Sequence, residues 1–281
     1  MSCKHVIVAF DVETTGLVAG VDRVTELAAV AFQGDEVLDT FSCLVNPGFS
    51  MPADAGRVTG ITDEMLAEAP PPAAALPGFL RLLGLGTPLA HNAVFDVGFV
   101  GMEAEEAGLV PPRGPVLDTR GLARRAFPGR FSYSLGNLTR DLRLEMPGAH
   151  RALADSHACR RLFQACWRVL AAGGNLGTGD LARLSGPPLD FTCHAPTQPR
   201  IARILQSVLS GGGLVDIVYR SARGEITRRT IRPLSFSVVG GNVAVVAFCR
   251  LRNDTRTFSL GSILEARPAP AEARPAGAEA R

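Results

Sequence analysis

The apolar positions of the first 170 residues change period several times, and each change marks an element. HVIVAF, at 5–10, is an almost unbroken apolar run rich in β-branched residues, the pattern of a strand buried on both faces. VTELAAVAF (24–32) reads as a second strand, and VLDTFSCLVNP (37–47), with partial alternation, as a third. DEMLAEAP predicts a short helix stopped by Pro70 to Pro72. AALPGFLRLLG places Leu76, Phe79, Leu80 and Leu83 on one helical face. TPLAHN reads as a short strand leading into a helix from Ala93 to Gly108, GPVLDT as another strand and SLGNLTRDL as a helix. A last long helix is predicted from about His150 to Ala172, with Cys159, Leu162, Phe163, Cys166, Trp167 and Leu170 at helical spacing. Strands first, then helices alternating with strands, predict an α/β fold with a mixed sheet flanked by helices over residues 1–172.

The pattern then changes. Residues 173–199 are rich in Gly, Pro, Thr and Ser and read as a linker or loose connector. RIARILQSVLSGGG (200–213) is a helix ended by glycines. LVDIVYRS, ITRRTIRPLSF, NVAVVAFCRL and TRTFSLGSIL follow as strand-like runs separated by RGE, GG and RND, which predicts a small, mostly-β domain over 200–267. The stretch from Pro268 to Arg281 is low-complexity Ala, Pro, Glu and Arg and is expected to be a disordered tail.

Composition narrows the classes. Hydrophobic residues make up 46% of the chain, enough for a real core. No apolar run approaches the roughly 18 residues of a membrane span, and MSCKHVIVAFDVE lacks the layout of a signal peptide. The six cysteines are scattered without a C-x-x-C pair, so the chain reads as cytoplasmic and reduced, with Cys159 and Cys166 as core residues. Net charge is +2, but residues 1–170 hold 15 Lys and Arg against 19 acids (−4), whereas residues 200–267 hold 11 Arg against 4 acids (+7). An acidic centre followed by a basic module hints at a polyanion for the second part.

Four acids then draw attention: Asp11 and Glu13 in AFDVETTGL, Asp96 in HNAVFD and Asp155 in HRALAD, with His150 five residues before it. Asp11 and Glu13 point the same way from a strand, because side chains alternate with period two. Such close like charges repel unless a cation sits between them. Hard oxygen ligands suit Mg²⁺ or Mn²⁺, and two such ions about 4 Å apart can hold the attacking and leaving oxygens of a phosphodiester displacement. The attacking water needs a base, and a histidine titrating near neutrality suits that role.

DVETTGL, HNAVFD and HRALAD resemble, in order, the three motifs of the DEDDh 3′–5′ exonucleases, whose fold is ribonuclease H-like and whose members include proofreading epsilon subunits and ribonuclease T. Glu26 in VTELAAV, the V-x-GIT loop in NPGFSMPADAGRVTGITDEML and VLDT at 116–119 strengthen the likeness. The H-x4-D spacing, not Y-x3-D, resembles the DEDDh rather than the DEDDy branch. The resemblance implies that Asp11, Glu13, Asp96 and Asp155 hold two divalent metals, Mg²⁺ or Mn²⁺, and that His150 is the general base. It further implies substrate contacts for Thr14, Thr15, Gly16, Leu17, Ile61, His91, Asn92 and Phe95. Structural roles for Thr14, Thr15 and Phe95 stand beside that implication. The reaction implied is hydrolysis of a 3′-terminal phosphodiester to 5′-mononucleotides, with nucleic acid as partner, DNA ahead of RNA; several nucleases of this family dimerise, so a homodimer is allowed.

The second module resembles a WYL domain, a small Sm-like barrel associated with nucleic acid or nucleotide ligands, through IVY, the Arg-rich strand ending in R-P-L at 232–234, and RTFSLGSI. The name-giving aromatic triplet is absent: NVAVVAF carries Val and Ala there. The contacts expected in this module are Tyr219, Arg228, Arg229, Arg232, Arg250, Arg252 and Arg256, the arginines gripping phosphates and Tyr219 stacking on a base or packing in the core. A competing expectation is a regulatory nucleic-acid-binding protein in which the nuclease-like part is only a scaffold.

Overall fold

The computed structural model describes residues 4–144, 150–174, 176–191, 199–239 and 242–270. The chain divides into two compact units, residues 1–195 and 196–281. Among the described residues, no helix is long and apolar enough to cross a membrane, and Cys43, Cys159, Cys166 and Cys249 are unpaired.

The first unit is a five-stranded mixed sheet. β1 (Val6–Thr14), β2 (Val24–Gln33) and β3 (Glu36–Leu44) form an antiparallel meander, followed by α1 (Ala53–Thr59), α2 (Asp63–Ala67) and α3 (Pro72–Leu83). β4 (Thr87–Ala90) runs parallel to β1 and is followed by α4 (Val94–Glu106); β5 (Leu117–Asp118) runs parallel to β4 and is followed by α5 (Thr119–Ala126), α6 (Leu135–Asp141) and α7 (Ala152–Leu170). The order across the sheet is β3-β2-β1-β4-β5. β1 and β2 are buried on both faces, which is why their sequences are nearly continuous apolar runs. One core layer forms around Phe10, Phe79 and Phe99, the other around Phe32, Leu162, Phe163 and Trp167.

Two expectations change. The strand expected over 37–47 ends at Leu44, with Val45 already out of the strand but held by a hydrogen bond from its N–H to the Thr25 carbonyl. The connector expected over 173–199 is folded through much of its described part. α8 (Thr178–Ser185) lies there, with Leu181 buried beside Leu122 and Leu162, and Phe191 is buried against Phe10, with ring centroids 5.9 Å apart. Its few apolar residues are spaced for a single short helix, and Asp180 caps that helix by accepting the Gly177 N–H at 2.9 Å. Residues 192–198 lie outside the described residues.

The second unit begins with α9 (Pro199–Gly211), whose Ile201, Ala202 and Leu205 are buried. β6 (Val215–Arg220), β7 (Ile226–Val239), β8 (Asn242–Cys249), β9 (Asp254–Ser259) and β10 (Ile263–Pro268) form an all-antiparallel sheet in the order β10-β6-β7-β8-β9. β7 spans 14 residues, and its register with β8 shifts between Pro233 and Ser235, where proline can donate no ladder hydrogen bond. The tail expected from Pro268 falls from residue 271 onward outside the described residues.

Candidate active site

The site forms where β1 ends. Asp11 and Glu13 alternate with the buried Val12 and Thr14, so both carboxylates leave the same face. Asp155 comes from the first turn of α7, and one carboxylate oxygen from each of Asp11, Glu13 and Asp155 lies within 4.8 Å of the others. Asp96, in the first turn of α4, is 3% exposed and sits behind this cluster, its Oδ1 accepting the Val12 N–H at 3.2 Å. That hydrogen bond fastens α4 to β1 near the end of the strand, between Asp11 and Glu13.

The electrostatics follow from crowding. Burial, then the carboxylates of Asp96, Asp155, Glu13 and Glu26, push the Asp11 carboxyl well above the usual range. Burial first, then Asp155 and Glu26, push Glu13 up to about 7, with Arg151 opposing. Burial also raises Asp96 and Asp155. Asp11, Glu13 and Asp155, three crowded carboxyls that resist ionisation together, form a donor set that a divalent cation completes, while Asp96 lies outside that set. The residues present fit such a group.

His150 lies at the edge, exposed, with φ of 64°. Its N–H donates to Asp155 Oδ2 at 3.2 Å, which ties the histidine's backbone to one of the acids. A non-glycine residue in the left-handed region costs on the order of 1 kcal/mol. Asn92 has the same conformation, with φ of 65°. Its N–H donates to Asp118 Oδ1 at 3.0 Å and its Oδ1 accepts from Arg120 Nη1 at 2.9 Å, so the amide is committed to holding the loop. His91 is similarly held: Nδ1 contacts Thr119 Oγ1 at 2.9 Å and Nε2 contacts the Tyr133 carbonyl at 3.0 Å. Burial pushes the His91 imidazole down to about 4, which keeps it neutral.

The turn after β1 is built by its own polar side chains. Thr14 Oγ1 donates to the Gly16 carbonyl at 2.5 Å, and Thr15 Oγ1 accepts the Arg23 N–H at 3.0 Å. A Cβ at Gly16 would fall 2.4 Å from Asp22 Oδ1, so a larger residue there would displace the carboxylate that accepts the Val18 N–H at 2.8 Å. Leu17 is 39% exposed, while Ile61 is 1% exposed, so of these two apolar residues only Leu17 offers surface to a ligand. Phe95 is half-buried and packs on Phe99 with ring centroids 4.9 Å apart.

Residues beyond the motif acids complete the frame. Glu26, 2% exposed and opposite Glu13 in the β1–β2 register, receives Arg151 Nε and Nη2 at 3.0 and 2.8 Å and the Ala152 N–H at 3.0 Å. A glutamate inside an apolar strand is the signal that could have marked it, since a buried charge requires a partner.

The family model for RNase T-type exonucleases, described as Exonuclease, matches residues 8–163, which span all three motifs and more than half of the chain. The chain belongs to the RNase T-type exonuclease family. A DNA polymerase III epsilon subunit from Treponema pallidum is 38% identical over 163 residues, covering 57% of this chain and 76% of that relative. A PolC-type DNA polymerase III from Bacillus cereus is 42% identical over 155 residues, 55% of this chain but 11% of the relative, so the exonuclease chain spans about a tenth of that protein. Exonuclease X, solved with 5′ overhanging duplex DNA, shares 27% identity and a TM-score of 0.50, covering 64% of this chain and 99% of that one. Exonuclease I, at 18% identity and a TM-score of 0.53, shares the fold over 87% of this exonuclease and 55% of its own chain. A WYL domain model matches residues 200–268.

In that WYL unit, Tyr219 is half-buried and meets Phe258 edge-on, centroids 5.1 Å apart. Arg229 lies over the same Phe258 ring at 5.8 Å and donates to Thr227 Oγ1 at 3.0 Å. Both side chains are thus engaged in packing. Arg228, Arg232, Arg250, Arg252 and Arg256 are exposed, with Arg256 paired to Asp254 at 3.4 Å. Arg228 and Arg229 border a cavity of about 370 Å³ together with Asp216, Thr230, Glu265 and Arg267.

Proposed function

We propose that this chain is a DEDDh-type 3′–5′ exonuclease that hydrolyses the terminal phosphodiester of DNA, single strands above all, to 5′-mononucleotides, with two Mg²⁺ or Mn²⁺ ions as cofactors. The observation that carries the proposal is the convergence of Asp11, Glu13 and Asp155 within 4.8 Å, backed by buried Asp96. When bound there, the cations supply Lewis-acid stabilisation of the charge that develops on phosphate. Asp11, Glu13, Asp96 and Asp155 would hold them. His150, at the open edge beside Asp155, takes the proton of the attacking water on its imidazole. Leu17 presses on the terminal base, and the turn Thr14–Gly16 presents backbone to the terminal nucleotide. Names among the relatives and the DNA in the exonuclease X structure support DNA over RNA.

The test is Mg²⁺- or Mn²⁺-dependent shortening of an oligonucleotide followed by gel. Asp11→Ala should abolish it, a loss of at least about a thousandfold for a group inside the catalytic constellation. Wild-type rates in that variant would end the assignment. The WYL unit, with its excess of exposed arginines, we read as a tether for single strands. Deleting 200–281 should weaken binding of long single strands and flatten its dependence on salt; an unchanged slope argues against tethering.

A further inference from the structure

The loop between α5 and α6 places an aromatic ring in solvent beside the site. Phe131 has 108% of its reference surface exposed, the most of any large apolar side chain in the described residues. Single exposed apolar residues are ordinary. This one is different because the loop around it is held in place. Tyr133 Oη donates to the Phe127 carbonyl at 2.8 Å and accepts the Arg130 N–H at 3.3 Å, closing the loop on itself. The Tyr133 carbonyl meets His91 Nε2 at 3.0 Å. The β1–β4 register pairs Ala9 with Leu89, and continuing it by two residues sets His91 level with Asp11. Adjacent strands are about 4.8 Å apart, and two residues of chain reach at most about 7 Å. Phe131 therefore stands within a few nucleotides' length of the carboxylates, at the same end of the sheet. Two arginines lie in or next to the loop. Arg124 lies over the Tyr133 ring at 5.5 Å, and Arg130 lies over Phe127 at 5.9 Å and pairs with Asp141 at 3.4 Å.

We propose that Phe131 is a base-stacking contact for the single-stranded nucleic acid upstream of the terminal nucleotide, with the neighbouring Arg130 facing the phosphates. The ring is solvent-exposed and its loop is anchored, so little order has to be gained on binding. An aromatic platform beside arginines is the chemistry that holds single strands irrespective of sequence. The proposal rests on the exonuclease reading above, and it extends the substrate site beyond the terminal base.

The experiment compares wild type, Phe131→Ala and Phe131→Trp on two substrates, a single-stranded octanucleotide and the p-nitrophenyl ester of thymidine 5′-monophosphate, which has no upstream base. The ratio of kcat/KM on the octanucleotide to that on the ester should fall about tenfold in Phe131→Ala, the scale of one lost stack. Phe131→Trp should keep the ratio. An unchanged ratio in Phe131→Ala, as expected if the ring serves a protein partner, overturns the proposal. A separate reading needs no catalysis. The chain has one tryptophan, Trp167, and it is 6% exposed. In EDTA the fluorescence added by Phe131→Trp should be quenched by the octanucleotide; no quenching at saturating octanucleotide refutes the stack. If wild type cleaves neither substrate while quenching persists, the exonuclease reading fails and the stacking site stands.

Discussion

Glu26 and Arg151 show how one residue pair can fix a catalytic edge without touching a substrate. Glu26 is locked in β2 opposite Glu13, and its two oxygens are taken by Arg151 and the Ala152 N–H. Arg151 directly follows His150, whose backbone is in the left-handed region, and precedes the helix that carries Asp155. The pair therefore sets where α7 begins and, through it, where His150 and Asp155 stand. Removing one partner of a buried pair costs about 3–5 kcal/mol. Arg151 keeps 41% of its side chain in water, which lowers the figure. Arg151→Ala should lose about 2 kcal/mol in urea denaturation and reduce kcat with little change in KM. Arg151→Lys should recover part of the stability and less of kcat, because an ammonium cannot make the two-pronged contact. Stability and kcat both at wild-type level in Arg151→Ala would show that the pair positions nothing.

At the scale of elements, the packing of α8 on α5 decides where the first unit ends. A Cβ at Gly121 would fall 1.6 Å from the Ser185 carbonyl oxygen, a backbone atom at the end of α8. Gly121→Ala should therefore push α8 away and cost about 1–3 kcal/mol, with faster amide hydrogen exchange in 178–185. If that exchange and the stability are unchanged, the contact is not a fixed part of the unit. This element also marks where sequence patterning stops. β1, β2 and the long α7 announce themselves because burial on both faces, or along one stripe, leaves a periodic record. α8 buries only Leu181 and Ser185, and so few positions look like a linker among glycines and prolines. α5 was equally quiet. Three of its eight residues are arginines and its buried face is small, Leu122, Ala123 and Ala126, with Asp118 capping the Arg120 N–H at 2.8 Å. α1 sits inside the loop expected from V-x-GIT and ends at Gly60 with φ of 69°. The acids were legible as a set of motifs. That Asp96 would serve β1 through the Val12 N–H, and that Ile61 would be interior, were not, because both depend on which layer faces which.

For the molecule as a whole, the acid cluster makes stability depend on pH and metal together. The carboxyls of Asp11, Glu13, Asp96 and Asp155 are all raised in the folded state, Glu13 to about 7, chiefly by burial. In the unfolded chain they return to about 4. Between those values the folded state holds more protons than the unfolded one, so stability falls as pH rises. The part that Glu13 contributes is fully present below about pH 4 and is lost as pH rises through about 7, where Glu13 ionises among its neighbours. A divalent cation reverses this, since it binds the ionised set and stabilises the folded state by mass action. Metal-free protein should therefore melt at a lower temperature at pH 8 than at pH 6, and Mg²⁺ or Mn²⁺ should raise the melting temperature more at pH 8. Differential scanning fluorimetry with and without EDTA at both pH values measures this directly. Glu13→Gln removes the group that titrates near 7 and should flatten the metal-free profile in that window. A metal-induced shift of equal size at both pH values, in wild type and in Glu13→Gln alike, would mean that the cations bind elsewhere and that the cluster keeps its protons.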